Sequence, residues 1–276
     1  FEMLRKLTII DDRGTARYRL NHIADRYFLT DGVWSRGQWS MFPFEDESTF
    51  LVEEIKRRAL DQHAALILDP GCGCGHTPLA LGGDIRRVGM DINPRSAHFT
   101  RINGHINGKP ITFIENDIAN GLPAVLRESI PSGSLMVANM PFALSPFDNA
   151  LSIAGDGGQN ALKWSSAVLR ALSSLQGSGL VLVMLTYSLG SSTEQLWEIE
   201  QIARQILPNA QTRWTLSPHK IWRVDLTLSE NNPMPLRGKL ERKALSKVIK
   251  NPERQERLRN GYRQLVDLLE AQGWDI

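Results

Sequence analysis

Cysteine is almost missing from this chain of 276 residues: Cys72 and Cys74 are the two that occur, one residue apart. That spacing is too short for an ordinary disulfide, so a disulfide-stapled scaffold is excluded and a reducing, cytoplasmic compartment is expected. Long apolar runs are missing as well. The longest, Leu180 to Leu185, is far too short to cross a bilayer, so no membrane partner is expected. Charge of one sign is also lacking: 32 Lys and Arg stand against 30 Asp and Glu, a net charge of +2. The whole molecule is therefore no electrostatic trap for nucleic acid. There is no internal repeat or low-complexity tract, and the opening Phe1-Glu2-Met3 does not read as a signal peptide. What is there, 42% hydrophobic and 22% charged residues, suits one sizeable α/β domain with additions at its ends.

Residues 1–60 are mixed. "ARYRLNHIADRYFLTDGVWS" suggests short strands around an Asp31-Gly32 turn. "DESTFLVEEIKRRAL" reads as a helix with Ser48 as its N-cap and Phe50, Leu51, Ile55 and Leu60 as its apolar positions. From residue 64 the pattern changes. "AALILDP", "RRVGMDI", "ITFIEND", "SLMVANM" and "GLVLVMLTY" are apolar runs of strand length, with helical segments over Pro94–Asn107 and Leu162–Leu175 between them. Such alternation argues for a parallel sheet covered on both faces. "EQLWEIEQIARQIL" is helical, and "AQTRWTLS" and "KIWRVDLTL" are two late strands that suggest an antiparallel edge. "NNPMP", at 231–235, is a linker into a basic helical tail that Pro252 breaks in two. The chain thus divides into an N-terminal extension (1–60), a central domain (61–230) and a helical tail (231–276).

"LDPGCGCGHT", Leu68 to Thr77, is the strongest local signal. A strand runs into Gly71, Gly73 and Gly75, where the backbone turns sharply and a ligand meets no Cβ. The loop lacks the Lys-Ser/Thr of a phosphate-binding loop, and its order, acidic residue before the glycines, differs from the dinucleotide fingerprint. The next strand ends at Asp91, a carboxylate placed to accept from ribose hydroxyls, and the third ends at Glu115-Asn116-Asp117. Three consecutive strand ends then line one crevice, where open α/β sheets hold ligands. Cys72 and Cys74 have only His76 near them and no cysteine-rich partner segment, so they read as small loop residues rather than metal ligands.

This series resembles the class I S-adenosylmethionine-dependent methyltransferases over about Ala64 to Leu228. "LDPGCGCG" looks like their first motif, "GMDINPRS" their second acidic loop and "FIENDI" their third. The resemblance implies a Rossmann-like, seven-stranded, mostly parallel sheet with an antiparallel edge, and S-adenosylmethionine as cofactor. It implies that Asp69 and the loop Gly71, Cys72, Gly73 and Gly75 hold the methionine part. Asp91 would hold the ribose and Asp117 the adenine amino group, with Ile92 and Ile118 against the ring.

The fourth strand ends in Asn139-Met140-Pro141-Phe142, and Pro141, with no N–H, should stop it. "NMPF" resembles the Asn-Pro-Pro-Tyr/Phe motif of enzymes that methylate planar exocyclic nitrogens, with Met140 standing where that pattern has its first proline. The chemistry accounts for the residue types. An amide or arylamine nitrogen is a poor nucleophile because its lone pair is delocalised. The Asn139 side-chain oxygen and the Met140 carbonyl are two acceptors for its two N–H groups. They aim the lone pair and stabilise charge as it develops, while Phe142 stacks on the flat substrate. The bland counterpart is Asn139 capping a turn and Phe142 in the core. "FLTDGVWSRGQWSMFPFEDESTFLVEEI" resembles the segment before the first motif in the same enzymes, with Trp39, Phe42 and Phe44 as substrate-side residues or ordinary packing. "IAGDGGQNALKWSSAVLRAL" resembles their later loop and helix, Asp156-Gly157-Gly158 being a mobile lid or a helix-start loop. Phe147 and Asp148, just beyond Phe142, are expected as further substrate contacts.

The acceptor stays open among a protein glutamine, an RNA base and a small amide or amine. From Arg237 to Arg263 ten Lys and Arg stand against three Glu, which is a phosphate-contacting surface for RNA or a solvated helix face. Two other classes remain in view: a non-catalytic S-adenosylmethionine-binding interaction protein, and a Rossmann-type oxidoreductase, against which the order of the glycine loop argues.

Overall fold

The computed structural model describes residues 17–23, 25–32, 39–41, 46–147, 151–175, 179–186, 197–210, 213–216 and 222–225. In the C-terminal stretch it describes Glu256, Asn260, Gln264 and Asp267, each helical and exposed. Phe42, Phe44, Asp148, the 231–235 linker and the rest of the basic tail lie outside the described residues.

Two strands, β1 (Tyr18–Ile23) and β2 (Arg26–Asp31), form an antiparallel hairpin of their own. Helix α1 (Asp46–Arg57) leads to β3 (Leu66–Asp69), α2 (His76–Ala80), β4 (Arg86–Asp91), α3 (Ser96–Ile106) and β5 (Thr112–Glu115). After a short α4 (Ala124–Arg127) come β6 (Leu135–Asn139), α5 (Lys163–Leu172), β7 (Val181–Thr186), α6 (Trp197–Ile206), β8 (Arg213–Leu216) and β9 (Trp222–Asp225). The main sheet runs β5-β4-β3-β6-β7-β9-β8. The first five strands of that order are mutually parallel, and β9 pairs antiparallel with both β7 and β8.

Side chains alternate across a strand, so an apolar run without polar breaks fills both faces of a sheet. Leu66, Leu68, Met136, Ala138, Leu182 and Met184 pack on one face with Val168 and Leu172 of α5 and Ile199 of α6. Ile67, Leu135, Val137, Val183 and Leu185 pack on the other with Leu51 and Ile55 of α1 and with Leu81. α1 is thereby fixed against the same strands whose ends carry the polar motifs.

Two local expectations are corrected. The hairpin does not turn at Asp31-Gly32: Ile23 pairs with Arg26, and Asp31 is the paired, buried end of β2. Its carboxylate is taken up by the Arg95 guanidinium, Nη1 to Oδ2 at 2.5 Å and Nη2 to Oδ1 at 2.6 Å, and by the Met41 N–H at 2.7 Å. Ser48 is no N-cap, because α1 begins at Asp46 and encloses it.

The outer edge of β2 meets two asparagines four positions apart, Asn103 of α3 and Asn107 at its C-cap. Asn103 Oδ1 accepts from the Leu29 N–H at 2.7 Å, and its Nδ2 donates to the Leu29 carbonyl at 3.0 Å. Asn107 does the same for Tyr27, at 3.1 and 2.7 Å. Side-chain amides thus stand in for a neighbouring strand, satisfying edge groups and seating the hairpin on the central domain. Among the described residues, no helix is long and apolar enough to cross a membrane.

Candidate active site

Asp91 knits the strand ends together. Its Oδ2 accepts from the Gly73 N–H at 2.7 Å, its Oδ1 from the Asn93 N–H at 2.8 Å, and its carbonyl from the Asn116 N–H at 3.0 Å. The glycine loop is also tied to β4 by the Cys72 N–H to the Met90 carbonyl, 2.9 Å. Gly73 and Gly75 take positive φ, 52° and 83°, and Gly75 opens α2. A Cβ on Gly71 would lie 2.7 Å from Met140 Sδ, so the thioether would have to shift to admit one. The side chain in the place of the resembled motif's first proline thus packs beside Gly71 of the glycine loop, 5% exposed.

A cleft of about 430 Å³ opens along these strand ends. It is lined by Gly71, Cys72, Gly73, Asp91, Ile92, Asp117, Ile118, Asn139, Met140, Pro141 and Phe142. Those candidates come together. Asp69 and Gly75 do not line it: Asp69 is buried beneath the loop, where one oxygen accepts from the Gly71 N–H at 3.3 Å. Nor do Trp39 and Phe147. The Trp39 carbonyl accepts from Asn93 Nδ2 and Arg95 Nη1, and the Phe147 carbonyl from Ser145 Oγ. Asp117 lines the cleft while its carboxylate also caps the turn at Ile118–Asn120 through the Ala119 N–H, 2.9 Å. Phe142 both lines the cleft and packs against the α1 side of the core.

Asp156-Gly157-Gly158, the lid or helix-start loop of the sequence, lie on the approach to α5 and are bonded to the chain after Phe142. The Ala143 N–H bonds to the Gly155 carbonyl (3.0 Å), the Gly157 N–H to the Ala143 carbonyl (2.8 Å) and the Ser145 N–H to the Gly158 carbonyl (2.9 Å). Trp164 Nε1 adds a bond to the Asp156 carbonyl at 2.7 Å. The segment is laced to the residues that follow Phe142, and Ser152 to Gly155 form part of the cleft wall.

Sequence reasoning also missed Ser40, Met41, Glu47, Ser48 and Asn93 on that wall. The Asp31–Arg95 pair and the Trp39 carbonyl hold Ser40 and Met41 there, and Met41 Sδ would stand 3.4 Å from a Cβ on Gly73. Ser48 Oγ accepts from Asn139 Nδ2 at 2.7 Å. A serine and an asparagine ninety-one positions apart leave no local signal.

The lining is acidic. Glu47, Asp91 and Asp117 contribute carboxylates, and no Lys or Arg is among the described lining residues. Burial holds His76 down at about 4, aided by Lys56, so its imidazole is neutral. Burial raises Asp91, against backbone N–H groups that favour its charged form. Burial pushes Asp69 up to about 8 and the Cys74 thiol up to about 12, and it raises Cys72 too, so both thiols stay protonated. Among the described residues no group of three or more His, Cys, Asp or Glu is placed to hold a metal ion.

No protein-family model and no curated protein sequence matches the chain. Solved structures resemble it at low identity. A ribosomal protein L11 methylase from Lactobacillus delbrueckii subsp. bulgaricus aligns at TM-score 0.48 and 16% identity, over 77% of this chain and 100% of its own. A precorrin 8w decarboxylase from Methanobacterium thermoautotrophicum aligns at 0.42 and 16%, over 68% and 92%. A T. thermophilus 16S rRNA N2 G1207 methyltransferase, in complex with AdoMet and guanosine, aligns at 0.49 and 17%, over 77% and 50%. The chemistry of the cleft is accordingly read from this chain's own residues.

Proposed function

We propose that this chain is an S-adenosylmethionine-dependent N-methyltransferase that acts on a planar exocyclic amide or amino nitrogen. One observation carries the reading: four successive parallel strand ends deliver the glycine loop, Asp91, Asp117 and Asn139-Met140-Pro141-Phe142 to one acidic cleft with no Lys or Arg among its described lining residues.

The residues present fit that cofactor. The backbone of Gly71 and Gly73 lines the cleft, and carboxylates with no Lys or Arg among the described lining residues suit a sulfonium cation. The same lining would repel the pyrophosphate of a dinucleotide, which weighs against an oxidoreductase. When bound, S-adenosylmethionine supplies an electrophilic methyl group. Backbone groups of Gly71, Cys72 and Gly73 would hold its methionine part, with Asp69 acting from beneath through Gly71. Asp91 would take the ribose hydroxyls, and Asp117, Ile92 and Ile118 the adenine.

Asn139 Oδ1 and the Met140 carbonyl accept the two N–H groups of the acceptor. They aim its lone pair and offset the positive charge that grows on nitrogen. Phe142 stacks on the planar group. Among the described lining residues His76 is neutral and both thiols are protonated, and no strong base is needed when the proton departs to water after transfer. The basic stretch 237–263 supplies phosphate contacts if the acceptor is RNA.

The test is transfer of label from methyl-labelled S-adenosylmethionine to a cell extract split into RNA, protein and small-molecule fractions, beside Asn139→Ala. Label in one fraction, absent with the variant, supports the reading and names the acceptor class. Cofactor binding without label in any fraction would favour a non-catalytic binder.

A further inference from the structure

We infer that Ser48 of α1 is a positioning residue, whose hydroxyl holds the Asn139 amide in place at the end of β6. The inference rests on the N-methyltransferase reading above. An asparagine amide has two ends of nearly equal size and opposite hydrogen-bonding sense. Turned one way, Asn139 presents a carbonyl oxygen that accepts from an N–H. Turned the other, it presents an NH2 that opposes the same N–H.

In the structure the NH2 end is engaged and Oδ1 is left for the acceptor: Nδ2 donates to Ser48 Oγ at 2.7 Å. Among the described residues nothing donates to Oδ1, and both Asn139 and Ser48 line the cleft. The clamp is rigid because Leu51 and Ile55, on the same helix, pack against Val137 and Leu185, which flank the end of β6. Met140, next in the chain, has no ring to lock its φ, unlike a proline. Order at this strand end comes instead from Met140 packing beside Gly71 and from Ser48 holding Asn139.

Ser48→Ala is expected to free the amide without disturbing α1, since alanine is a good helix former. In the full 15N-labelled chain, the Asn139 side-chain NH2 signal is assigned by its loss in Asn139→Ala, and its hydrogen exchange is measured. Exchange is slow in the wild type, about fivefold faster in Ser48→Ala, the ratio one such hydrogen bond sets, and slow again in Ser48→Thr. Methyl transfer falls by a similar factor in Ser48→Ala and recovers in Ser48→Thr, with cofactor affinity unchanged in both. Equal amide exchange in wild type and Ser48→Ala would overturn the clamp. Faster exchange with undiminished transfer would overturn its role. A wild type that labels nothing would overturn the methyl-transfer reading and the purpose given to Ser48 with it, whereas unchanged exchange overturns Ser48 alone.

Discussion

Replacing Gly157 by alanine is expected to destabilise the protein far more than a loop substitution ordinarily does. A Cβ at Gly157 would lie 2.7 Å from both the Cα and the carbonyl carbon of Phe142 and 3.0 Å from the Ala143 oxygen. These are backbone atoms, so no side chain can swing aside. Ordinary carbon–carbon contact is about 3.5–4.0 Å, so the two segments must part by about 1 Å. That shift strains the Gly157 N–H bond to Ala143 (2.8 Å) and the Lys163 N–H bond to the Gly157 carbonyl (3.1 Å). Overpacking of about 1–3 kcal/mol and about 1 kcal/mol for a weakened hydrogen bond give a loss of about 2–4 kcal/mol. Gly83 is the control: it lies in the chain without positive φ, and a Cβ there meets nothing within 4 Å. Gly83→Ala should be neutral or stabilising by up to about 1 kcal/mol. Urea unfolding of the three proteins reads both values. If Gly157→Ala falls within about 0.5 kcal/mol of Gly83→Ala, the laced wall is wrong and a loose lid is right.

Three further outcomes follow from the same geometry. Asn139→Ala should abolish methyl transfer while leaving cofactor affinity nearly unchanged, as labelling and calorimetry in parallel would show; equal loss of both would mean the acceptor site lies elsewhere. Arg95→Ala leaves the Asp31 carboxylate, 4% exposed, without its ion pair. With Arg95 itself 40% exposed, the cost is discounted to about 1–3 kcal/mol by urea unfolding, and cofactor affinity should fall as Ser40 and Met41 lose their anchor. Asp69, pushed up to about 8 by burial, keeps its proton in the folded state, so its contribution to stability is lost as pH rises toward 8. His76, pulled down to about 4 from 6.5, works in the opposite sense between those values, so the decline should stand clear from about pH 6.5 to 8. Unfolding midpoints across that range should fall in the wild type and flatten in Asp69→Asn.

The strands and the glycine loop were legible because their causes are local. An unbroken apolar run such as Leu135–Ala138 can only be covered on both faces, and Gly73 and Gly75 after a strand end mark a turn of positive φ. What stayed hidden depends on partners far along the chain. Asp31-Gly32 carries a hairpin-turn signal, yet Asp31 finds Arg95 sixty-four positions later and becomes a strand end instead. Ser48 looked like a cap until Asn139 claimed it. Asn103 and Asn107 read as indifferent helix residues, and their pairing with a strand edge requires knowing where the hairpin lies. Asp156-Gly157-Gly158 left a lid and a helix-start loop both open because the hydrogen bonds there are between backbones, which composition does not report.

Calorimetric titration of S-adenosylmethionine into the full chain and into Asp91→Ala tests the central claim most directly. The account expects one saturable site in the wild type and a loss of about tenfold or more in the variant, the scale of hydrogen bonds to a charged group. No binding, equal affinity in the two proteins, or tighter binding of a nicotinamide dinucleotide would contradict it.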